Sequence, residues 1–256
     1  MAHATRGRLI VLAVVLMSVL ISGCAETRLM ESAIPAEPSQ VFAHLRQMPL
    51  IEVPATVAAG GPLVVLYTGD NGWAKFDRLV ARRMAAAGAP VVGVSSLAYF
   101  LTPRSPKGAA SDLAALVGHY SRLWGRRDVV LVGYSYGGDD LPLIAQALPA
   151  EVLAQVRLLV LISPADEGDM TFRGASWFDL STRDARPIAP ALATLGDLPI
   201  LCIHSDHDPR QSCDRLSGAH LTRAQIPGGH HYLGHIDDVA DLILKAAAAA
   251  GAATGQ

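Results

Sequence analysis

The chain has 256 residues, of which 51% are hydrophobic, 17% charged and 5% aromatic. This is ample for a large single core and excludes disorder as the main theme. With 21 basic and 23 acidic residues the net charge is −2, and no basic stripe marks a nucleic-acid binder. Only one apolar run approaches membrane-spanning length, so a polytopic membrane protein is excluded too.

That run, Leu9 to Ile21, is interrupted only by Ser18 and preceded by Arg6 and Arg8. A basic start followed by a short apolar stretch has the form of a secretory signal. It ends Ile21-Ser22-Gly23-Cys24, which resembles the lipobox of bacterial lipoproteins. Cleavage before Cys24 would leave a lipidated cysteine at the mature N-terminus and a net charge of −4, since residues 1–23 carry two arginines and no acid. The expectation is a membrane-anchored periplasmic lipoprotein. Ala25 follows the cysteine rather than Asp, which leaves outer-membrane sorting open. In an oxidising compartment the remaining cysteines, Cys202 and Cys213, read as a disulfide.

Residues 24–54, with Pro35, Pro38, Pro49 and Pro54, read as a tether carrying at most an edge strand over Leu50 to Val53. A single domain is expected over 55–250, followed by a short tail. Leu63 to Tyr67 is an apolar strand, and Lys75 to Ala87 is helix-compatible and stopped by Gly88 and Pro90. Val91 to Val94 is the next strand. From about Pro106 to Trp124, Leu113, Leu116, Val117, Tyr120 and Leu123 keep helical spacing. Asp128 to Val132 is a strand, Gly137 to Leu148 a helix, and Arg157 to Ile162 a strand. Pro199 to Ile203 and Arg223 to Ile226 are the last strands, and Ile236 to Ala250 the last helix. Continuous apolar strands alternating with amphipathic helices predict an α/β fold: a mostly parallel sheet covered on both faces, of the α/β-hydrolase kind.

Gly133-Tyr134-Ser135-Tyr136-Gly137 lies between a strand and a helix, the context that a G-x-S-x-G nucleophile elbow requires. Its glycines allow backbone to pass where side chains would collide. Ser135 then stands at a strand's carboxyl end and a helix N-terminus, where negative charge is favoured. Such elbows take an acid and then a histidine later in the chain. His204-Ser205-Asp206-His207-Asp208-Pro209 follows a strand and offers Asp208, with Asp206 as alternate. Pro227-Gly228-Gly229-His230-His231-Tyr232 offers the histidine. His231, beside the aromatic residue, is preferred, with His230 as alternate. A Cys202–Cys213 bond would brace the acid's loop.

Two backbone N–H groups are needed for an oxyanion hole. Tyr136 should supply one, and Asp70 or Asn71, in Thr68-Gly69-Asp70-Asn71-Gly72-Trp73, the other. His204, His207, His230, His231 and His235 invite a metal reading, but their spacing matches no strong zinc pattern and no thiolate pair accompanies them. No phosphate-binding glycine motif is present. Neither a metal nor a cofactor is expected.

These residues resemble the VirJ/AcvB family of bacterial virulence proteins over roughly Leu63 to Leu244. The likeness rests on Thr68 to Trp73, on Pro90 to Val94 with Ser96-Leu97-Ala98-Tyr99-Phe100, and on the elbow extended through Gly138-Asp139-Asp140-Leu141-Pro142. Cys202, Cys213 and Pro227 to His231 also fit. Asn71, Gly138 and Asp140 depart from the family pattern, as does the acid loop. The resemblance implies a periplasmic α/β-hydrolase-like protein. Its relatives hydrolyse the lysyl ester of aminoacylated phosphatidylglycerol, and others are linked to virulence and type IV secretion. A dicationic lysyl group would call for carboxylates, and Asp139, Asp140 and Asp70, with Asp166, Glu167 and Asp169, are the candidates by connectivity. Three functions are compatible with the sequence: an aminoacyl-phospholipid hydrolase, a general carboxylesterase or thioesterase, and a non-catalytic periplasmic adaptor of a type IV secretion system.

Overall fold

Seven strands form the central sheet of a computed structural model, which describes residues 38–58, 60–172 and 184–253. All described residues belong to one compact unit, Ser32–Gln256. The segment that reads as a secretory signal and Cys24 lie outside the described residues. Among those described, no helix is long and apolar enough to cross a membrane.

In chain order the elements are α1 (Pro38–Leu45), β1 (Leu50–Val53), β2 (Leu63–Tyr67), α2 (Lys75–Ala86), β3 (Val91–Val94), α3 (Ser96–Tyr99) and α4 (Pro106–Trp124). Then follow β4 (Val129–Tyr134), α5 (Tyr136–Ala145), α6 (Ala150–Leu153), β5 (Val156–Ile162), β6 (Glu167–Gly168) and β7 (Arg186–Pro187). The chain closes with α7 (Ile188–Ala193), β8 (Ile200–His204), β9 (Leu221–Gln225) and α8 (Ile236–Ala253). β1 pairs antiparallel with β3, and every other pairing in the large sheet is parallel. β6 and β7 form a separate two-stranded ribbon.

The continuous apolar runs are explained by burial on both faces. Leu63, Val65 and Tyr67 of β2 face one core layer with Leu113 and Leu116 of α4 and Leu141 of α5. Val64 and Leu66 face the other, with Phe76 and Val80 of α2 and Val239 and Ile243 of α8. Helix α4 starts where its sequence says it should: Ser105 Oγ accepts the Gly108 N–H at 3.0 Å, Pro106 follows, and Gly125 ends it at φ 64°.

β2 is flanked by β3 on one side and β4 on the other. The chain leaves β2 for β3, then crosses back to β4, so the loops after β2 and β4 diverge. Their carboxyl ends form a topological switch point, the usual place for a site in an open α/β sheet.

The expected tether folds from residue 38 onward. Helix α1 docks through Leu45, which is buried. The His44 ring nitrogen Nε2 meets Asp112 Oδ1 at 2.8 Å. Asp112, also buried, accepts the Tyr99 hydroxyl on Oδ2 at 2.5 Å, and the Arg104 guanidinium lies 3.6 Å from the same oxygen. β1 closes this edge of the sheet, as expected, with Glu52 accepting the Tyr120 hydroxyl at 2.6 Å. Since Asp112 satisfies partners from three elements, Asp112→Ala should lower stability by about 3 kcal/mol. Urea unfolding would show this as a lower midpoint at unchanged slope.

Candidate active site

Ser135 begins α5 directly after β4 at φ 51° and ψ −121°, a conformation that an L-residue adopts only under constraint. Its N–H donates to Ile162 O at 2.8 Å, its carbonyl accepts the Gly138 N–H at 2.7 Å, and the Gly137 N–H reaches Thr68 O at 3.1 Å. A Cβ on Gly133 would come under 3.0 Å from the backbone of Gly137 and Gly138. One on Gly137 would meet Tyr67 and Thr68 equally closely. Both elbow glycines are therefore sterically required.

Ser135 Oγ lies 2.9 Å from Nε2 of His230, and Nδ1 of the same ring lies 2.6 Å from Asp208 Oδ2. The preference for His231 is thus corrected: His230 joins the serine to the acid. The carboxylate can only accept, so it fixes the proton on Nδ1 and leaves the Nε2 lone pair for the serine hydroxyl. Burial works to raise the Asp208 carboxyl, but the hydrogen bonds from His230, Ser163 and the Arg210 N–H, with the electrostatic attraction of His230, together outweigh it and hold the group below the usual carboxylate range. Asp206 is exposed and bonds instead to Ser205 and His207. Cys202 in the middle of β8 is joined to Cys213, which closes the loop that carries Asp208.

His231 points elsewhere. Its Nδ1 lies 2.9 Å from the Tyr134 hydroxyl, which also donates to His230 O at 3.0 Å. Burial and the neighbouring His230 push the His231 pKa down. What separates the two rings is the next residue. Tyr232, at φ 50°, is fully buried, and its hydroxyl pairs with Ser163 Oγ at 2.8 Å and reaches Ile203 O at 3.2 Å. The aromatic residue that made His231 look favourable is the loop's anchor.

Gly69 sits against the nucleophile, since a Cβ there would lie 3.6 Å from Ser135 Cβ. Asp70 and Asn71 form the turn that follows. The Tyr136 N–H opens the first turn of α5, where no preceding helical carbonyl is in place to accept it. The Gly69 backbone and the Tyr136 N–H thus flank the serine.

Four of the six acids proposed for a lysyl cation are otherwise engaged. Asp139 Oδ1 accepts the Ala165 N–H at 2.6 Å, and Asp166 pairs with Arg215 at 2.7 Å. Asp169 Oδ1 accepts the Thr171 N–H. Asp140 is fully buried, with Oδ1 accepting the Met170 N–H at 3.0 Å. It cannot meet a substrate from solvent, which corrects that expectation. Among the described residues no group of three or more His, Cys, Asp or Glu side chains is arranged to hold a metal.

Nucleophile elbow, relay and sheet define an α/β-hydrolase fold. Solved structures share it: Est1E from Butyrivibrio proteoclasticus is similar over 79% of this chain and 93% of its own, with TM-score 0.59 and 16% identity. The esterase domain of a Rhodothermus marinus protein is similar over 78% and 98%, with TM-score 0.51 and 12% identity. The thioesterase domain from the curacin biosynthetic pathway is similar over 76% and 94%, with TM-score 0.51 and 14% identity. No curated protein matches the sequence. The model of the bacterial virulence protein VirJ matches residues 62–250, and the chain belongs to that family.

Burial pushes the Asp140 carboxyl up to about 7, with the Met170 N–H opposing and Asp169 adding to the rise. The folded state therefore holds a proton that the unfolded chain, near 3.8, releases. Its stabilising contribution is complete at acid pH and is lost as pH rises toward 7 and beyond. Asp140→Asn should accordingly flatten the fall in melting temperature between pH 5 and pH 8 and leave the variant the more stable at pH 8. Parallel thermal melts across that range would show it.

Proposed function

We propose that the protein is a periplasmic serine hydrolase of carboxylic esters, acting on the aminoacyl ester of aminoacylated phosphatidylglycerol. The observation that carries the hydrolase reading is the continuous relay from Ser135 through His230 to Asp208, with contacts of 2.9 and 2.6 Å. The family resemblance supports the lysyl ester as substrate. The apolar run ending in Cys24 and the Cys202–Cys213 bond support a lipid-anchored position outside the cytoplasm. An anchored domain would keep its site near a lipid substrate.

The chemistry follows from the geometry. His230 Nε2 takes the proton of Ser135 Oγ as that oxygen attacks the ester carbonyl. The charge that develops on the carbonyl oxygen is held by the Tyr136 N–H and by an N–H of the Asp70–Asn71 turn. Asp208 stabilises the imidazolium without taking its proton. His230 then protonates the departing glycerol oxygen, and phosphatidylglycerol leaves. Water, deprotonated by the same nitrogen, attacks the aminoacyl-Ser135 ester and releases the amino acid.

A fluorophosphonate probe reads the activated hydroxyl independently of substrate. Wild-type protein should be labelled at Ser135, and His230→Ala or Asp208→Ala should slow labelling by about a thousandfold or more. His231→Ala should still be labelled, within about tenfold of the wild-type rate, because its ring is not in the relay. Labelling that survives His230→Ala and disappears with His231→Ala would contradict the assignment. A folded protein that is never labelled would contradict the hydrolase reading.

A further inference from the structure

Four non-glycine residues among those described hold a left-handed backbone: Ser135, Ser163, Met170 and Tyr232. Such strain persists only where the surroundings over-determine it, and it concentrates at functional sites. Ser135 is the nucleophile. Ser163, at φ 49°, follows β5, and Tyr232, at φ 50°, follows the two histidines. Both are buried, at 4% and 0% exposure, and their hydroxyls meet at 2.8 Å. Two residues 69 positions apart in the chain are thus strained toward one hydrogen bond.

A tyrosine that only anchors a loop needs no serine opposite it. Glycine is the residue that φ 49° favours, and a serine there offsets its conformational cost only through its hydroxyl. That hydroxyl lies against the acid. Asp208 is 5% exposed, with Oδ2 held by His230 Nδ1 at 2.6 Å and Oδ1 accepting the Arg210 N–H at 3.3 Å. The Ser163 hydroxyl bonds the same carboxylate.

Counting protons sets the direction of each bond. An ionised carboxylate only accepts, so Ser163 gives it its single hydroxyl proton. Ser163 Oγ is then left as an acceptor, and the Tyr232 O–H donates to it. Ile203 O, 3.2 Å from the Tyr232 hydroxyl, already takes the Ser163 N–H at 2.8 Å and does not depend on the tyrosine. The donors run one way, from Tyr232 to Ser163 to Asp208, and each bond polarises the next. The same strand end serves the nucleophile. Ile162 O, one residue before Ser163, accepts the Ser135 N–H at 2.8 Å.

We infer that Ser163 is a positioning residue for the reaction: its hydroxyl, oriented by Tyr232, holds the Asp208 carboxylate toward His230. The inference rests on the hydrolase reading. Because Tyr232 continues the loop that carries His230, the same bond sets the histidine loop against the loop of the acid. Removing the serine proton would leave more negative charge on the carboxylate. The carboxylate would then draw the His230 Nδ1 proton closer, while being freer to turn away from the productive geometry.

Two readouts on the full-length protein test this, one of them independent of turnover. Ser163→Gly suits the backbone and removes only the hydroxyl, and Tyr232→Phe keeps the buried ring. Ser163→Gly should slow fluorophosphonate labelling of Ser135 by about tenfold, the order of one hydrogen bond to a charged group. In proton NMR the His230 Nδ1 proton resonates at low field, and it should move further downfield in Ser163→Gly. Tyr232→Phe should move it the same way by less. Asp112→Ala is the comparison for a purely structural loss, with a lower urea midpoint and an unmoved resonance. Unchanged labelling and an unmoved resonance in Ser163→Gly would overturn the inference. A lower urea midpoint with the resonance unmoved would overturn it too, by reducing Ser163 to a packing role. A shifted resonance in a protein whose wild type is never labelled would support the bond and reject the hydrolase reading alone.

Discussion

The structure depends on the close approach of two backbones at the carboxyl end of the sheet. The turn that lifts Ser135 requires Gly137 to lie against Tyr67 and Thr68 and Gly133 against Gly137 and Gly138. That contact stores the strain at φ 51° and holds the serine between the loop after β2 and the first turn of α5. Hydrogen bonds to the end of β5 and to the residue after β2 lock it: Ser135 N–H to Ile162 O and Gly137 N–H to Thr68 O. The oxyanion donors, the histidine and the acid are all placed relative to this one turn. Crossing from β3 back to β4 beside β2 is what brings the two loops to the same edge.

The acid and the histidine reach the serine by longer routes, and each route is braced. The Asp208 loop is closed by the Cys202–Cys213 bond, and the segment around Cys213 is tied to β9 by Arg223, which donates to the carbonyls of Cys213 and Leu216. The histidine loop is braced by Tyr232, whose hydroxyl reaches Ser163 and the end of β8. Gly228 at φ 112° and Gly229 at φ 68° let the chain turn sharply before it. A Cβ at Gly228 would collide with the backbone of Tyr232 and Leu233.

These braces explain what the sequence could show. The elbow was legible because its requirement is local: two glycines and a serine between an apolar strand and a helix. Asp208 was legible because it follows a strand end in the expected chain order. Choosing between His230 and His231 was not possible from residue type, since neighbours on a loop point apart according to φ values that only tertiary anchoring sets. Tyr232 carries the signal, but an aromatic residue beside a histidine reads equally as part of a site, whereas burial makes it the anchor. Helix α1 was hidden among prolines, although Pro38 at its first position is an ordinary start signal. The two-residue strands β6 and β7 are too short to show periodicity.

Asp139 and Asp140 show the opposite error. Adjacency to the nucleophile suggested contact with substrate, but the first turn of α5 packs against the β6 segment, and both carboxylates are used to hold its amides. The central claim remains that Ser135, His230 and Asp208 act as one hydrolytic unit on an aminoacyl phospholipid. The most direct test is release of free lysine from lysyl-phosphatidylglycerol in vesicles by purified protein, with His230→Ala as comparison. The account predicts lysine and phosphatidylglycerol in equal amounts, and a loss of about a thousandfold or more in the variant. Lysine release that persists in His230→Ala, or none from a wild-type protein whose Ser135 still reacts with a fluorophosphonate, would contradict it.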